Sequence, residues 1–379
     1  MLFVLPGVFG LILAWWLTRL LCSEKAVLSI LDHPNGRGLH SKATPRTGGL
    51  AVIAGVVVSL GVAAAGYIVV QPPGSFLPKG LASGSLWIVV SMILVFVVSF
   101  VDDWMNLPAS LRFGVQAVAA VIVIGGVGLT LSSIPIPGVG AIQLGWMAWP
   151  VSALFLMWMA NLYNFMDGMD GFAGGMTVMG FGFLAYFGWE AEYPVMLGLG
   201  AMVAMSALGF LVHNFPPARI FMGDAGSITL GFLGGTLMLL GFHDGIFEFW
   251  VPIILFSPFI VDATVTLLRR ALRGEKIWHA HRDHYYQRLV LLGWGHKRTV
   301  IVEYGLMGLC GIFAFVYQYG TESSRASVLL TWFFLFVAFM VGVRWLEWLG
   351  NHRRQVLSAQ NSRVGEGPEV SCQSGHGQE

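Results

Sequence analysis

Apolar residues run almost unbroken through this chain, and the few places where they stop resemble one another. Runs long enough to cross a bilayer, at roughly 20 residues each, fall near 2–21, 49–71, 82–101, 113–131, 148–164, 172–188, 194–212, 226–243, 250–268, 300–318 and 327–348. Eleven such runs predict an all-α fold, a polytopic integral membrane protein with about 11 transmembrane helices. Several runs are short or broken by glycine, the pattern of helices that surround a wet cavity. The first, Leu2–Leu21, has no basic leading region and no small-residue cleavage site, so it reads as a retained helix rather than a signal peptide. No internal repeat and no separate soluble domain breaks the pattern. Residues 1–350 therefore form one transmembrane domain, and 351–379, rich in Ser, Gln, Gly and Glu, read as a disordered tail.

Composition agrees with the pattern. Of 379 residues 56% are apolar and 11% charged, against about 25% charged in an ordinary soluble domain, and the mean hydropathy is +0.73. Three widely separated cysteines, Cys22, Cys310 and Cys372, suggest neither a disulfide framework nor a thiolate metal site. A net charge of +1 gives no ground for a nucleic-acid partner. The distribution of charge says more. Loops 22–48, 102–112, 165–171, 213–225 and 269–299, the tail and the adjoining helix ends hold all Lys and Arg except Lys79 and Arg325. The positive-inside rule makes that side cytoplasmic, the N-terminus periplasmic and the C-terminus cytoplasmic. The opposite loops carry Glu190, Glu192, Asp244, Glu248 and Glu322.

The most polar stretch is Asn161–Gly175, N-L-Y-N-F-M-D-G-M-D-G-F-A-G-G. It sets Asn161, Asn164, Asp167 and Asp170 three residues apart in a segment that otherwise belongs in hydrocarbon, where polar groups are expensive and mark function by default. Three helical residues turn about 300°, so on one straight helix the four side chains drift round the axis. Gly168 and Gly171 predict that the helix ends here, so that they converge on one pocket. The plainer reading is a glycine-rich helix end wetted by water.

Further polar clusters fall on the same predicted face. The loop Gly36–Gly49, G-R-G-L-H-S-K-A-T-P-R-T-G-G, offers Arg37, His40, Lys42 and Arg46, and the N–H groups of Thr47-Gly48-Gly49 at a helix start suit a phosphate. A topogenic basic loop is the plain alternative. Asp102 and Asp103 close the third helix at the end where its dipole disfavours acids, so the pair wants a cation or a proton, as a general base or a magnesium shell would. Asp224, in R-I-F-M-G-D-A-G-S, is an ordinary N-cap or a metal ligand. Asp262 is a further intramembrane acid of structural role, a candidate to pair with Arg269 or Arg270. The segment K-I-W-H-A-H-R-D-H-Y-Y-Q-R holds His279, His281 and His284 with Arg282 and Arg288. Its spacing can be read as zinc-binding, but the interleaved arginines oppose a cation and favour phosphate or sugar, with Trp278, Tyr285 or Tyr286 to stack. Many carboxylates, few thiols and no Walker A pattern point to a hard cation acting on a phosphate-bearing substrate.

Together these pieces resemble a known family, the polyprenyl-phosphate N-acetylhexosamine-1-phosphate transferases (glycosyltransferase family 4). H-S-K-A-T-P-R-T-G-G (40–49), V-D-D (101–103), N-L-Y-N-F-M-D-G-M-D-G (161–171), F-M-G-D-A-G-S (221–227) and H-A-H-R-D-H (279–284) come in that family's order and spacing. The last motif is most similar to the branch that initiates O-antigen or other surface polysaccharides and departs from the three adjacent histidines of the peptidoglycan branch. The resemblance implies an enzyme at the cytoplasmic face of the bacterial inner membrane. It would transfer a sugar-1-phosphate from a UDP-N-acetylhexosamine to undecaprenyl phosphate and release UMP. It implies Mg²⁺, or Mn²⁺ in its place, on Asp170 and Asp224. Asp102 and Asp103 would deprotonate or orient the lipid phosphate, and Asn161, Asn164 and Asp167 would shape the nucleotide and metal pocket, with Asp167 counted among the catalytic acids. Lys42, Arg46, His279, His281, Arg282 and His284 would contact phosphates or sugar. The peptidoglycan branch also suggests a homodimer. Two other classes compete: a flippase for lipid-linked sugars, whose site belongs nearer the bilayer midplane, and a CDP-alcohol phosphatidyltransferase, whose A-R and paired D-x-x-x-D are missing after Gly171.

Overall fold

The computed structural model describes residues 4–23, 28, 30–32, 39, 43–70, 79–276 and 281–365. A helix lies over each predicted apolar run. In chain order they are α1 (Val4–Leu21), α2 (Gly48–Val70), α3 (Lys79–Met105), α4 (Ala109–Val127), α5 (Ala148–Met166), α6 (Phe172–Glu190), α7 (Pro194–Asn214), α8 (Asp224–His243), α9 (Trp250–Leu255), α10 (Ser257–Leu272), a short α11 (Tyr285–Leu289), α12 (Gly295–Tyr319) and α13 (Glu322–Gly365). Among the described residues, eight helical segments are long and apolar enough to cross a membrane. The small antiparallel pairs β1 (Leu31–Asp32) with β2 (Thr44–Pro45), and β3 (Ser133–Ile136) with β4 (Gly140–Gln143), are the only sheet among them. The chain is an all-α, multi-pass membrane protein.

The outer helices α1 and α3 read as inverted amphipaths. On α1 the large residues Leu5, Phe9, Ile12 and Trp16 are exposed at helical spacing, while Ala14 and Thr18 are buried. On α3 the buried face is Ser91, Val95, Ser99 and Asp102, and Ile93 and Val97 point outward. The large side chains meet lipid, and the small and polar ones meet protein, as packing within a bilayer favours. Helix α8 is the centre: every residue from Ala225 to Gly241 is buried, and it is apolar on all sides. Gly231 and Gly235 let it approach α5, where an added Cβ would meet Met159 and Tyr163 or Leu156.

Helix ends follow local chemistry. Helix α4 starts right after Pro108 and stops at Gly128, whose left-handed φ of 84° lets its N–H cap Ile124. The run 250–268 is not one helix but two, α9 and α10, parted at Phe256. Pro258 has no N–H for the Ile254 carbonyl, and the Ser257 hydroxyl takes that carbonyl instead at 2.5 Å. Helix α13 carries on through 351–365, where composition predicts a disordered tail, because extending a formed helix costs little. Residues 366–379 lie outside the described residues.

Candidate functional site

The polar helix ends meet around the segment that links α7 to α8. Phe221 N–H donates to the Pro45 carbonyl at 2.7 Å, and Gly48 and Gly49 donate to Phe221 and Met222 at 2.9 and 2.8 Å. These glycine N–H groups are therefore not open to a phosphate, contrary to the expectation for Thr47-Gly48-Gly49. The approach is as close as backbone permits: a Cβ on Gly49 would sit 2.6 Å from the Gly226 nitrogen. This clasp brings Arg46 to the end of α3. Its guanidinium lies 3.6 Å from the Asp103 carboxylate and donates to the Asp103 carbonyl.

Asp102 and Asp103, both buried, divide the work at the end of α3. Asp103 accepts the N–H groups of Asp224 and Ala225 at 3.1 and 2.8 Å, so it caps α8, whose N-terminal dipole welcomes an anion. Asp102 accepts Leu107 N–H at 2.7 Å and pairs with Arg112, also at 2.7 Å. Arg112 reaches the second carboxylate, Asp224, at 3.5 Å. Asn164, from the last turn of α5, donates to Asp224 at 2.7 Å and Ser227 at 3.2 Å. Asp167 stands just past the end of α5, partly buried, and takes Gly223 N–H. Burial first, then the Asp224 carboxylate, push its carboxyl well above the ordinary range; the Gly223 hydrogen bond opposes them and Asp103 adds to them. Four carboxylates, one amide and two guanidinium groups from separate segments thus share one small volume.

The turn predicted at Gly168 and Gly171 is present. Helix α5 ends at Met166, and α6 begins after Gly171, whose φ is 74°. Gly171 is held on both sides: its N–H donates to Asn214 at 3.0 Å, and its carbonyl accepts the Tyr304 hydroxyl at 2.6 Å. Gly168 has no room for a Cβ against the Tyr286 hydroxyl, which donates to Phe165 O at 3.1 Å. The four side chains of the stretch do not all converge. Asn161 turns to Gln116 of α4, at 2.6 Å. Asp170 is buried in a network of its own, 2.8 Å from His296 Nδ1 and accepting Ala218 N–H at 2.9 Å.

The histidine loop packs onto the same turn. The His284 ring stacks on Phe165 at 6.3 Å, and the His281 ring lies 4.8 Å from it. Asp262 fixes this loop. It accepts Tyr285 and Tyr286 N–H at 2.9 and 3.1 Å and lies 3.3 Å from His284 Nδ1, so it caps α11. It does not pair with Arg269 or Arg270. Arg270 instead binds Asp283 and, at 2.9 Å, Glu275. Burial raises the Asp283 carboxyl, but Arg270 outweighs it and holds the group below its ordinary value. Arg282 lies between His281 and Asp283 in this loop. Lys42 and His279, with Arg37, His40 and Trp278, lie outside the described residues.

Sequence reasoning missed Arg112, Gln116 and His296. Arg112 was the first base after the acidic pair in sequence, which is a usable signal. Gln116 is one of few amides inside an apolar run. Nothing local marks His296, since it reaches Asp170 only through the tertiary fold.

Glycosyl transferase family 4 matches residues 85–242, which hold both aspartates of α3, the Asn161–Gly175 turn and Asp224. Over 317 residues, 83% of this chain and 82% of the relative, the chain is 33% identical to a probable undecaprenyl-phosphate N-acetylglucosaminyl 1-phosphate transferase of Bacillus subtilis (strain 168). It is 32% identical to a phospho-N-acetylmuramoyl-pentapeptide-transferase of Synechococcus sp. (strain JA-3-3Ab), over 62% of this chain and 74% of the relative. With a decaprenyl-phosphate N-acetylglucosaminephosphotransferase of Mycobacterium tuberculosis (strain CDC 1551 / Oshkosh) it shares 28% identity, over 86% and 85% of the two chains.

Proposed function

The chain belongs to glycosyl transferase family 4, and on that premise we propose that it transfers an N-acetylhexosamine-1-phosphate from a UDP-sugar to undecaprenyl phosphate. The products are a lipid-linked pyrophosphoryl sugar and UMP. The reading includes a face: the site opens to the cytoplasm, as the Lys and Arg distribution supports. It also includes a use, the first step of O-antigen or related surface-polysaccharide synthesis, supported by the H-R-D-H-Y-Y form of the histidine motif. One observation carries the reading. Asp102, Asp103, Asp167 and Asp224 gather at one end of a hydrophobic bundle, with Arg46 and Arg112 beside them.

The donor set fits magnesium. Its atoms are hard oxygens, and among the described residues no three His, Cys, Asp or Glu side chains form a ready-made metal cage. Magnesium is commonly held by one or two carboxylates with substrate phosphates completing its shell. Asp167, raised by burial and neighbouring carboxylates, has no cationic partner among the described residues, and Asp224 shares Arg112 with Asp102. We assign the cation to Asp224 and Asp167. When bound, it would neutralise the diphosphate and stabilise charge on the leaving nucleotide phosphate. Asp170, which the family resemblance suggests as a ligand, is engaged by His296 and Ala218 and is assigned here to holding the turn.

The remaining residues act on the phosphates and on position. Asp102, buried at the end of α3 with Arg112 as its counter-ion, orients the lipid phosphate and takes its proton if one is present. Asp103 holds the start of α8, and so the Asp224 carboxylate, in place. Asn164 orients Asp224 by donating to it. Arg46, Arg112 and Arg282 supply charge-assisted hydrogen bonds to phosphate oxygens, with Lys42, His279, His281 and His284 for the diphosphate or sugar. A direct attack by the lipid phosphate needs no covalent enzyme intermediate.

The test is direct. Purified protein given undecaprenyl phosphate, Mg²⁺ and a panel of UDP-N-acetylhexosamines should release UMP with at least one donor, and the panel names the sugar. Asp224→Asn should lower turnover by about a hundredfold or more, while Glu190→Gln at the far end of α6 should leave it unchanged. Failure to release UMP with any of the donors would overturn the reading.

A further inference from the structure

A second polar site lies behind the segment that links α7 to α8, away from the four carboxylates. It is a cavity of about 220 Å³ lined by Trp15, Arg19, Cys22, His213 and Arg219. Trp15 is its floor: the Arg19 guanidinium lies 5.8 Å above that ring, and the His213 ring lies 6.0 Å from it. His213 is 8% exposed, and its Nε2 has no hydrogen-bond partner. Among the described residues neither Arg19 nor Arg219, both exposed, has a carboxylate within ion-pair distance.

Two arginines at a helix end could be topogenic charge and nothing more. That explanation does not reach His213. A buried ring nitrogen without a partner costs free energy, and such atoms are rare unless something outside the chain satisfies them. The two guanidinium forks offer positive charge and N–H donors that match phosphate oxygens, and the unpartnered His213 nitrogen can accept from a protonated phosphate or donate to an ionised one. We propose that Arg19, Arg219 and His213 form a phosphate-binding pocket, distinct from the acidic site, that takes the headgroup of an anionic lipid at the membrane surface.

Lipid rather than free phosphate follows from place. Arg19 closes α1, a helix whose Trp16 and Leu20 are exposed large side chains of its outward face, so a headgroup reaches the pocket without leaving the bilayer surface. The pocket and the acidic site share one segment. Gly223 of that segment gives its N–H to Asp167, and Arg219 N–H returns to the His213 carbonyl at 3.0 Å. The proposal does not depend on the transferase reading.

Native mass spectrometry of the full chain extracted from phosphatidylcholine vesicles doped with phosphatidic acid tests it. The wild type should retain phosphatidic acid, and Arg219→Gln and the Arg19→Gln/Arg219→Gln double variant should retain it about tenfold less per arginine removed. Equal melting temperatures in pure phosphatidylcholine would establish that the variants are folded; if the double variant is not, the exposed Arg219→Gln alone decides. Equal retention by wild type and Arg219→Gln would overturn the pocket. Displacement of the lipid by added inorganic phosphate would overturn the lipid assignment in favour of free phosphate, and persistence would support it.

Discussion

At the residue scale the site is defined by how each carboxylate is compensated. Asp103 is satisfied by two N–H groups of α8 and by Arg46, Asp102 by Leu107 N–H and Arg112, and Asp170 by His296 and Ala218 N–H. Asp167 has one N–H and no cation among the described residues, and its carboxyl stands well above its ordinary value of 3.8. Keeping it ionised therefore lowers stability, by an amount that is absent below the ordinary value and grows as pH rises towards the folded one. A cation that favours the ionised form offsets this cost. The rise in Tm on adding Mg²⁺ should then be larger in mildly alkaline than in mildly acidic buffer, and Asp167→Asn should flatten that dependence. A rise independent of pH would contradict the assignment.

At the element scale α8 does the positioning. Its N-terminus delivers Asp224, and its length is buried against α5, α3 and α2. The approach to α5 depends on Gly231, where a Cβ would stand 2.5 Å from the Met159 carbonyl; at Gly234 the nearest atom is 3.5 Å away, in the Phe181 ring. Backbone cannot yield as a side chain can, so Gly231→Ala should cost about 1–3 kcal/mol by overpacking. Gly234→Ala should be neutral or slightly stabilising, since Ala favours helix by up to about 1 kcal/mol. Thermal unfolding of the two variants in one detergent checks this, and equal Tm values would refute the close α5–α8 approach. Because Asn164 and Asp224 sit at the touching ends of these helices, Gly231→Ala should also reduce turnover.

At the scale of the whole molecule the charge asymmetry predicts a fixed orientation. With Cys22, Cys310 and Cys372 replaced by serine, Arg273→Cys should react with a membrane-impermeant maleimide only from the cytoplasmic side, and Glu322→Cys only from the other. The reverse pattern would invert the topology and place the acidic site outside. Much of this architecture is legible in the chain itself. Eleven apolar runs cannot be anything but helices in lipid, where every backbone group must be satisfied within its own segment. A break at Gly168–Gly171 follows from local backbone chemistry as well, and so does the recurrence of acids at the helix ends. Partner choice is not local. That Asp103 caps α8, that Asp262 caps α11 rather than pairing with Arg270, and that Asp170 is claimed by His296 depend on which helix ends meet. The occupied N–H groups of Gly48 and Gly49 depend on the same packing. Hydrophobic periodicity sets where each helix lies and which face it buries; only the packing of small residues, read in three dimensions, decides which polar ends are brought within hydrogen-bond reach.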